Sequence, residues 1–136
     1  MKKTITRFFC LVLCLMFTVS VTIANATENS EIMPRLTGID SQAVSLSISE
    51  YGRASCWCAI FVSTGYSVDV TMDLEQDGIV IKTWTASGSS GARVELSKPY
   101  YVVEGHDYQV VVTTRVKTLE GSYLLSYTLE SYVESY

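Results

Sequence analysis

The chain has 136 residues and a net charge of −4, from ten Lys and Arg residues against fourteen Asp and Glu residues. Three of the basic residues lie within positions 1–26 and every acidic residue lies after them, so the remaining chain has seven basic and fourteen acidic side chains, a net charge of −7. Because such a chain repels nucleic acid and anionic membrane surfaces, we expect neither as a partner.

The first 26 residues have the three parts of a secretory signal peptide. Basic residues occur within the first seven positions, an apolar run covers 8–17, and small residues at 24–26 suit cleavage by a signal peptidase. This apolar run is shorter than a membrane-spanning helix, which needs about 20 residues. We therefore predict a helical signal peptide over 1–26 and a secreted, extracellular product. An uncleaved signal that retains the protein at the membrane is the alternative.

A polar lead-in over 27–42 precedes a chain in which apolar and polar residues alternate. A period of two is typical of half-buried β-strands, and turn residues separate the alternating segments. We predict seven strands, at 43–49, 53–62, 67–75, 79–85, 92–97, 108–117 and 122–130.

Local features refine these predictions. Segment 53–62 is apolar on both faces, which indicates a central strand, and Pro99 is expected to stop regular pairing after 92–97. The dipeptide Asp77-Gly78 favours a type I′ hairpin turn, because both residues tolerate positive φ. Segment 122–136 also has apolar residues at helical spacing, and we prefer a strand because its first part alternates.

About 110 residues are enough for one domain with its own core. Several short strands at regular spacing, with turn residues between them, are typical of a sandwich or barrel. The sequence therefore predicts an all-β protein whose residues 43–136 form a single antiparallel β-sandwich of about seven strands.

The segment around Tyr108 resembles the start of the sixth strand in immunoglobulin-like and fibronectin-like domains. In those domains a tyrosine beside a tight turn hydrogen-bonds to the backbone, and Tyr108 follows Gly105-His106-Asp107 in this way. The resemblance implies that Val110 takes the place of the second core cysteine of antibody domains. It also implies a sandwich of the immunoglobulin or fibronectin type.

The overall layout resembles a family of short secreted β-sandwich proteins of Gram-positive Firmicutes. The features in common are the Lys-rich signal, Met33-Pro34-Arg35, Ala54-Ser55-Cys56, Lys82-Thr83-Trp84 and Gly105-His106-Asp107-Tyr108. This resemblance implies export and the fold, and it supplies no activity.

Cys56 and Cys58 are the cysteines that remain after position 26. On a strand their side chains share a face with Cα atoms about 6.6–6.8 Å apart, at the upper limit for a disulfide. A reactive thiol needs nearby positive charge, and Arg53 is the only basic residue close in sequence. We expect two core thiols, while a strained or intermolecular disulfide, a redox couple and a metal site stay open.

Two other groups of polar residues are candidate sites. The acidic residues Asp69, Asp73, Glu75 and Asp77 cluster on one strand and its turn. Residues of one strand face are spaced by about 6.8 Å for every two positions, whereas Ca²⁺ ligands lie within about 2.6 Å of one ion, so we predict a solvated face. His106 lies in a predicted turn without a Gly-x-Ser-x-Gly nucleophile motif. We therefore predict no catalytic, cofactor-binding or metal-binding residue, and no enzyme activity.

Aromatic residues are the remaining candidates for recognition. Trp84, Tyr100 and Tyr101 could form a patch that stacks on a sugar or contacts a protein, although packing within the sandwich is the interpretation that we favour. The sequence thus predicts a secreted, non-catalytic binding or structural module at or outside the cell surface, with an unknown protein or carbohydrate partner. The alternatives are an extracellular thiol-redox or metal-binding protein that uses Cys56 and Cys58, and a small secreted toxin-like effector.

Overall fold

The computed structural model describes residues 36–136, which form eight β-strands. The strands are β1 (Ile39–Ile48), β2 (Arg53–Val62), β3 (Tyr66–Gln76), β4 (Ile79–Ser89), β5 (Arg93–Tyr101), β6 (Asp107–Thr118), β7 (Tyr123–Glu130) and β8 (Glu134–Ser135). These residues contain no helix, and hence none that could cross a membrane. The prediction of an all-β protein is confirmed. The predicted signal peptide and the first part of the lead-in, up to residue 35, lie outside the described residues.

The strands form two antiparallel sheets. One has the order β1-β2-β5, and the other has the order β4-β3-β6-β7, with β8 paired to β6. Three hairpins, β1–β2, β3–β4 and β6–β7, stay within a sheet, whereas the other long strands are joined by connections that pass from one sheet to the other. The prediction that segment 53–62 is central is confirmed, because β2 lies between β1 and β5.

Alternate residues of both sheets form one continuous core. A single cluster of buried side chains joins β2 to β3 and β6, so the two sheets pack face to face as in a β-sandwich. Burial of each Val, Leu or Ile side chain in such a core contributes about 1.5–3 kcal/mol. The least exposed members of the cluster include Ala54, Cys58, Ile60, Val70, Met72, Leu74, Tyr108, Val110 and Val116.

The β3–β4 hairpin turns at Asp77 and Gly78, as predicted. Their φ angles are 51° and 79°, and Gln76 lies opposite Ile79 across the turn. Positive φ at both central residues is the geometry of a type I′ turn, which matches the right-handed twist of the flanking strands. This turn fixes the start of the longest hairpin of the domain.

Tyr108 closes the connection between β5 and β6. Its side chain is fully buried, and its hydroxyl oxygen accepts a hydrogen bond from the Val103 N–H at 3.0 Å. The same hydroxyl donates to the Val103 carbonyl oxygen at 2.9 Å. The tyrosine contact expected from the sequence therefore forms.

The start of β1 differs from the prediction. β1 begins at Ile39, before the predicted start at residue 43, because Ile39 is buried opposite Val62 and a bulge before Ser41 hides the alternation. At the other end of the chain, Tyr123–Glu130 is a strand and not a helix, which agrees with the preferred interpretation.

The prediction that Pro99 ends regular pairing is wrong, because β5 continues through Pro99 to Tyr101. In the β2–β5 ladder, the Val102 N–H donates to the Gly52 carbonyl oxygen at 2.8 Å. The backbone N–H and C=O groups of even-numbered β5 residues therefore point toward β2, and those of odd-numbered residues point away. The missing N–H of Pro99 is therefore on the free edge, where the ladder does not need it.

Candidate functional site

Cys56 and Cys58 point into the core, and neither is more than 1% exposed. Both are free thiols within the described part of the chain. Burial raises the pKa of Cys56 to about 11. Burial also raises the pKa of Cys58, with a further increase from the charge of Glu95 that a backbone hydrogen bond from Leu96 opposes. The thiolate is the nucleophile and the metal ligand, so this environment suits packing better than redox or metal chemistry.

The acidic residues predicted to form a solvated face are held by separate partners. Asp69 lies 2.8 Å from the Lys117 ammonium, and Asp73 accepts a hydrogen bond from the Thr83 hydroxyl. Asp77 lies apart from them in the hairpin turn. Residues 36–136 contain no group of three or more His, Cys, Asp or Glu side chains that could hold a metal ion.

His106 contacts Asp77, a pairing that the sequence analysis missed. His106 Nδ1 lies 2.6 Å from Asp77 Oδ2, and the Asp107 N–H donates to Asp77 Oδ1 at 3.0 Å. The hydrogen bond from Asp107 and then the one from His106 lower the pKa of Asp77. No Ser, Thr or Cys side chain of residues 36–136 forms a hydrogen bond with this imidazole. The contact therefore ties the β3–β4 turn to the start of β6.

Trp84, Tyr100 and Tyr101 do not form one patch. The rings of Trp84 and Tyr100 meet edge to face, with centroids 6.4 Å apart, where β4 and β5 border the core. Tyr101 points to the opposite face of β5 and is 74% exposed. Neighbouring residues of a strand point to opposite faces, which separates this pair. Packing, the interpretation that we favoured, describes Trp84 and Tyr100.

A different aromatic surface covers the outer face of the three-stranded sheet. We call it the outer platform and define it as Trp57, Ala59 and Phe61 of β2 with Arg93 and Glu95 of β5. Phe61 lies opposite Arg93, and Ala59 lies opposite Glu95. All five side chains therefore project from the same side of the sheet.

Polar contacts hold the side chains of the outer platform in place. The Trp57 indole N–H donates to Glu95 Oε1 at 2.7 Å, and Arg93 Nη2 lies 3.0 Å from Glu95 Oε2. The Arg93 guanidinium carbon lies 5.3 Å from the centroid of the Phe61 ring, within cation–π range. Both oxygens of the Glu95 carboxylate are engaged, so one residue positions an aromatic and a cationic side chain.

The outer platform is open to solvent from the side of β1. Phe61 is 42% exposed, and the Arg93 and Glu95 side chains are 48% and 42% exposed. The outward residues of β1 opposite Phe61, Ala59 and Trp57 are small: Ser41, Ala43 and Ser45. The aromatic side chains therefore stand above the neighbouring strand.

The sequence did contain a signal for this surface. Segment 53–62 is apolar on both faces, and that observation predicted a central strand. In a sandwich of two layers, however, even a central strand has one face toward solvent, so its second apolar face marks an exposed surface.

Comparisons with protein-family models and with curated proteins found no match to the chain. Its function is therefore proposed from the geometry of its own residues.

Proposed function

We propose that the protein is an exported, non-catalytic binding module of the immunoglobulin-like or fibronectin-like type, acting at or outside the cell surface. Its outer platform contacts a protein partner. The observation that carries this proposal is the exposed aromatic surface whose Trp57, Arg93 and Phe61 side chains are fixed by Glu95 and by each other.

Two features support the immunoglobulin-like type. Hairpins alternate with connections between sheets, as in Greek-key sandwiches. Tyr108 also binds the backbone five positions upstream at the start of the sixth strand, the position that the tyrosine corner occupies in these domains. Val110 is then the buried residue at the position of the second core cysteine.

The composition of the outer platform favours a protein partner over a carbohydrate. Trp and Arg are enriched among residues that dominate protein–protein binding energy, and side chains that are already ordered lose little entropy on binding. A sugar would need a free aromatic face, whereas Arg93 covers one face of Phe61. The exposed charge pair at Arg93 and Glu95 can form the polar rim of such an interface.

The role of the outer platform is tested by photo-crosslinking on cells that export the protein. A photo-reactive amino acid replaces Ser45, which lies beside Trp57, or Thr85, which lies on the outer face of the other sheet. We expect a discrete crosslinked protein from position 45 and not from position 85. Trp57→Ala should weaken this complex by about 2 kcal/mol, roughly 30-fold, because a Trp that becomes buried in a protein–protein interface is a typical hot spot.

Thermal unfolding of each variant serves as the control for an intact fold. The proposal is contradicted if position 45 yields no more product than position 85, or if a folded Trp57→Ala variant crosslinks as well as the unmodified protein.

A further inference from the structure

A cleft of ≈ 550 Å³ opens on the side of the sandwich where β1 and β7 are edge strands. Residues from both sheets line it, including Gln42, Val44, Leu129, Glu130 and Tyr132. It lies away from the outer platform, which faces outward from the middle and far strands of the three-stranded sheet.

The cleft exists because the three strands of one sheet pack against the four long strands of the other. β5 lies over β4, β2 lies over β3, and β1 lies chiefly over β6. No strand of the described chain lies squarely opposite β7, so its inward side chains Leu125, Tyr127 and Leu129 stay half-buried. No strand of residues 36–136 fills the space beside β1 and above β7.

Within residues 36–136, side-chain hydrogen bonds close this side at its two ends. The Thr37 N–H donates to the Tyr127 hydroxyl oxygen at 2.7 Å at one end. At the other end the Tyr136 hydroxyl donates to the Glu50 carbonyl oxygen at 3.2 Å. Between these two contacts, no strand of residues 36–136 pairs with the outer edge of β1.

The backbone of β1 presents unpaired groups to the cleft. The Ser49 N–H donates to the Arg53 carbonyl oxygen at 3.0 Å. The backbone N–H and C=O groups of odd-numbered β1 residues therefore point toward β2, and those of even-numbered residues point away from it. The backbone N–H and C=O groups of Gln42, Val44 and Leu46 therefore point toward the free edge. No other residue within 36–136 forms a hydrogen bond with them.

The edges on the other side of the sandwich are protected against strand pairing, whereas β1 is not. Lys82 on β4 and Lys98 on β5 occupy inward positions of their strands and are exposed, and Pro99 follows Lys98. Inward-pointing charges and prolines are common devices that prevent pairing at an edge. From Ser41 to Ile48, β1 has no charged residue, no proline and no bulge.

One buried polar atom in the cleft lacks a partner. The Gln42 Oε1 atom is inaccessible to solvent and accepts no hydrogen bond from any described residue. Such atoms are rare in folded proteins because their desolvation is not compensated. A donor brought into the cleft by a bound segment would satisfy it.

Two occupants fit this space poorly. A second copy of the folded domain, paired through β1, would bring its own four-stranded sheet into the position that β7 already holds. The residues of this chain that precede Leu36 include Glu28, Glu31 and Pro34. They would add negative charge next to Glu130, and Pro34 would leave a ladder acceptor unpaired.

The geometry points to an extended segment of another protein, which adds beside β1 as the fourth strand of the three-stranded sheet. Backbone bonds to Gln42, Val44 and Leu46 supply affinity, and alternate apolar side chains of the segment cover Leu129. Gln109 Nε2 holds the Glu130 carboxylate at 3.3 Å, and no cationic side chain of residues 36–136 pairs with it. Glu130 is exposed at the rim of the cleft, so a Lys or Arg at one end of the segment can pair with it.

The test is a selection from a random library of displayed linear peptides on the exported protein. Enriched peptides should alternate apolar and polar residues and carry a basic residue. Leu129→Lys places a lysine at an inward position, as Lys82 and Lys98 do on β4 and β5. It should weaken the binding of a selected peptide roughly tenfold or more, as measured by fluorescence polarisation. Thr128→Lys is the matched control, because Thr128 is the exposed neighbour on the outer face of β7, and it should leave binding unchanged.

Amide hydrogen exchange locates the bound segment. The peptide should protect the N–H groups of Val44 and Leu46, whereas those of Ser45 and Ser47 are protected before it binds. Glu130→Gln should remove the preference for a basic residue, and Trp57→Ala should bind the peptide as the unmodified protein does. The last result separates failure of this site from failure of the outer platform.

Several outcomes would overturn the proposal. They are a selection without enriched peptides, binding that survives Leu129→Lys, or protection of Val44 and Leu46 before any peptide is added. In the last case sedimentation distinguishes a second copy, which doubles the mass, from the preceding residues of the same chain, which do not.

Discussion

The environment of single side chains determines which chemistry this domain can perform. Burial keeps the thiols of Cys56 and Cys58 protonated at neutral pH, with the pKa of Cys56 at about 11. His106 and Asp77, in contrast, are exposed on two turns and contact each other. The cysteines are a reactive residue type, but their burial keeps them from reacting. His106 and Asp77 are accessible, but no nucleophile lies beside them among the described residues.

The contact at Asp77 makes stability depend on pH. Because the folded state lowers the pKa of Asp77 below its usual value of about 3.9, the folded state binds this proton less readily than the unfolded state. The contact therefore stabilises the fold above about pH 4, and its contribution is lost as pH falls through the lower folded-state pKa. Asp77→Asn should show a smaller drop in Tm on acidification than the unmodified protein, measured by thermal unfolding across this range.

A second carboxylate of the same hairpin provides the control for this prediction. Glu75→Gln is the matched change, because the Glu75 side chain forms no hydrogen bond or ion pair with residues 36–136. Equal acid sensitivity of Asp77→Asn and the unmodified protein would show that the hydrogen bonds from Asp107 and His106 do not contribute.

At the residue scale, the alternation of the sequence predicted which side chains are buried. It did not predict contacts between residues that are distant in the sequence. The shared face of Cys56 and Cys58 follows from the strand period, and both cysteines are in the core as predicted. The contact between His106 and Asp77 joins turns 29 positions apart. It depends on the pairing of β3 with β6, which no local pattern reveals.

At the scale of elements, strand positions were predicted well because each strand buries one face against the core. β3 is the clearest case, since Val68, Val70, Met72 and Leu74 are all buried and the residues between them are not. The error at Pro99 arose because an edge strand tolerates proline where its N–H faces solvent. Whether a strand lies at an edge depends on the order of the strands in the sheet, which the sequence of one strand does not reveal.

The connection between β5 and β6 depends on Tyr108. Tyr108→Phe removes the hydroxyl that both accepts from and donates to the Val103 backbone. Since a typical hydrogen bond contributes about 0.5–1.5 kcal/mol, the free energy of unfolding should fall by roughly 1–3 kcal/mol in chemical denaturation. Tyr100→Phe is the control, because the Tyr100 ring packs on Trp84 and no hydrogen bond to its hydroxyl is formed by residues 36–136. A loss as large in the control would contradict the role of the Tyr108 hydroxyl.

At the scale of the whole molecule, the sequence predicted two packed sheets but not which surfaces stay open. The outer platform and the cleft beside β1 both result from the stacking of a three-stranded sheet on a four-stranded one. Strand order is set by contacts between distant segments, so alternation alone does not determine it. This is why the aromatic surface at Trp57 was not predicted, although packing of Trp84 was.

Export is tested through the amino terminus of the mature protein. We expect the product recovered from the medium of an exporting host to begin at Thr27, as measured by intact mass. Ala26→Tyr should block cleavage, because a signal peptidase requires a small residue at this position, and the precursor should stay with the cells. Ser30→Tyr, beyond the cleavage site, should be processed normally. A secreted product that retains residues 1–26 would contradict the prediction.

The lysines on one flank of the sandwich limit how many neighbours the domain can recruit through its strands. With Lys82 and Lys98 blocking β4 and β5, strand addition can occur on the β1 side alone. In the language of polymer chemistry, the three-stranded sheet is a monofunctional unit, which can end a growing chain of strands but cannot extend one. Strand addition to this sheet should therefore give discrete complexes and not fibrils.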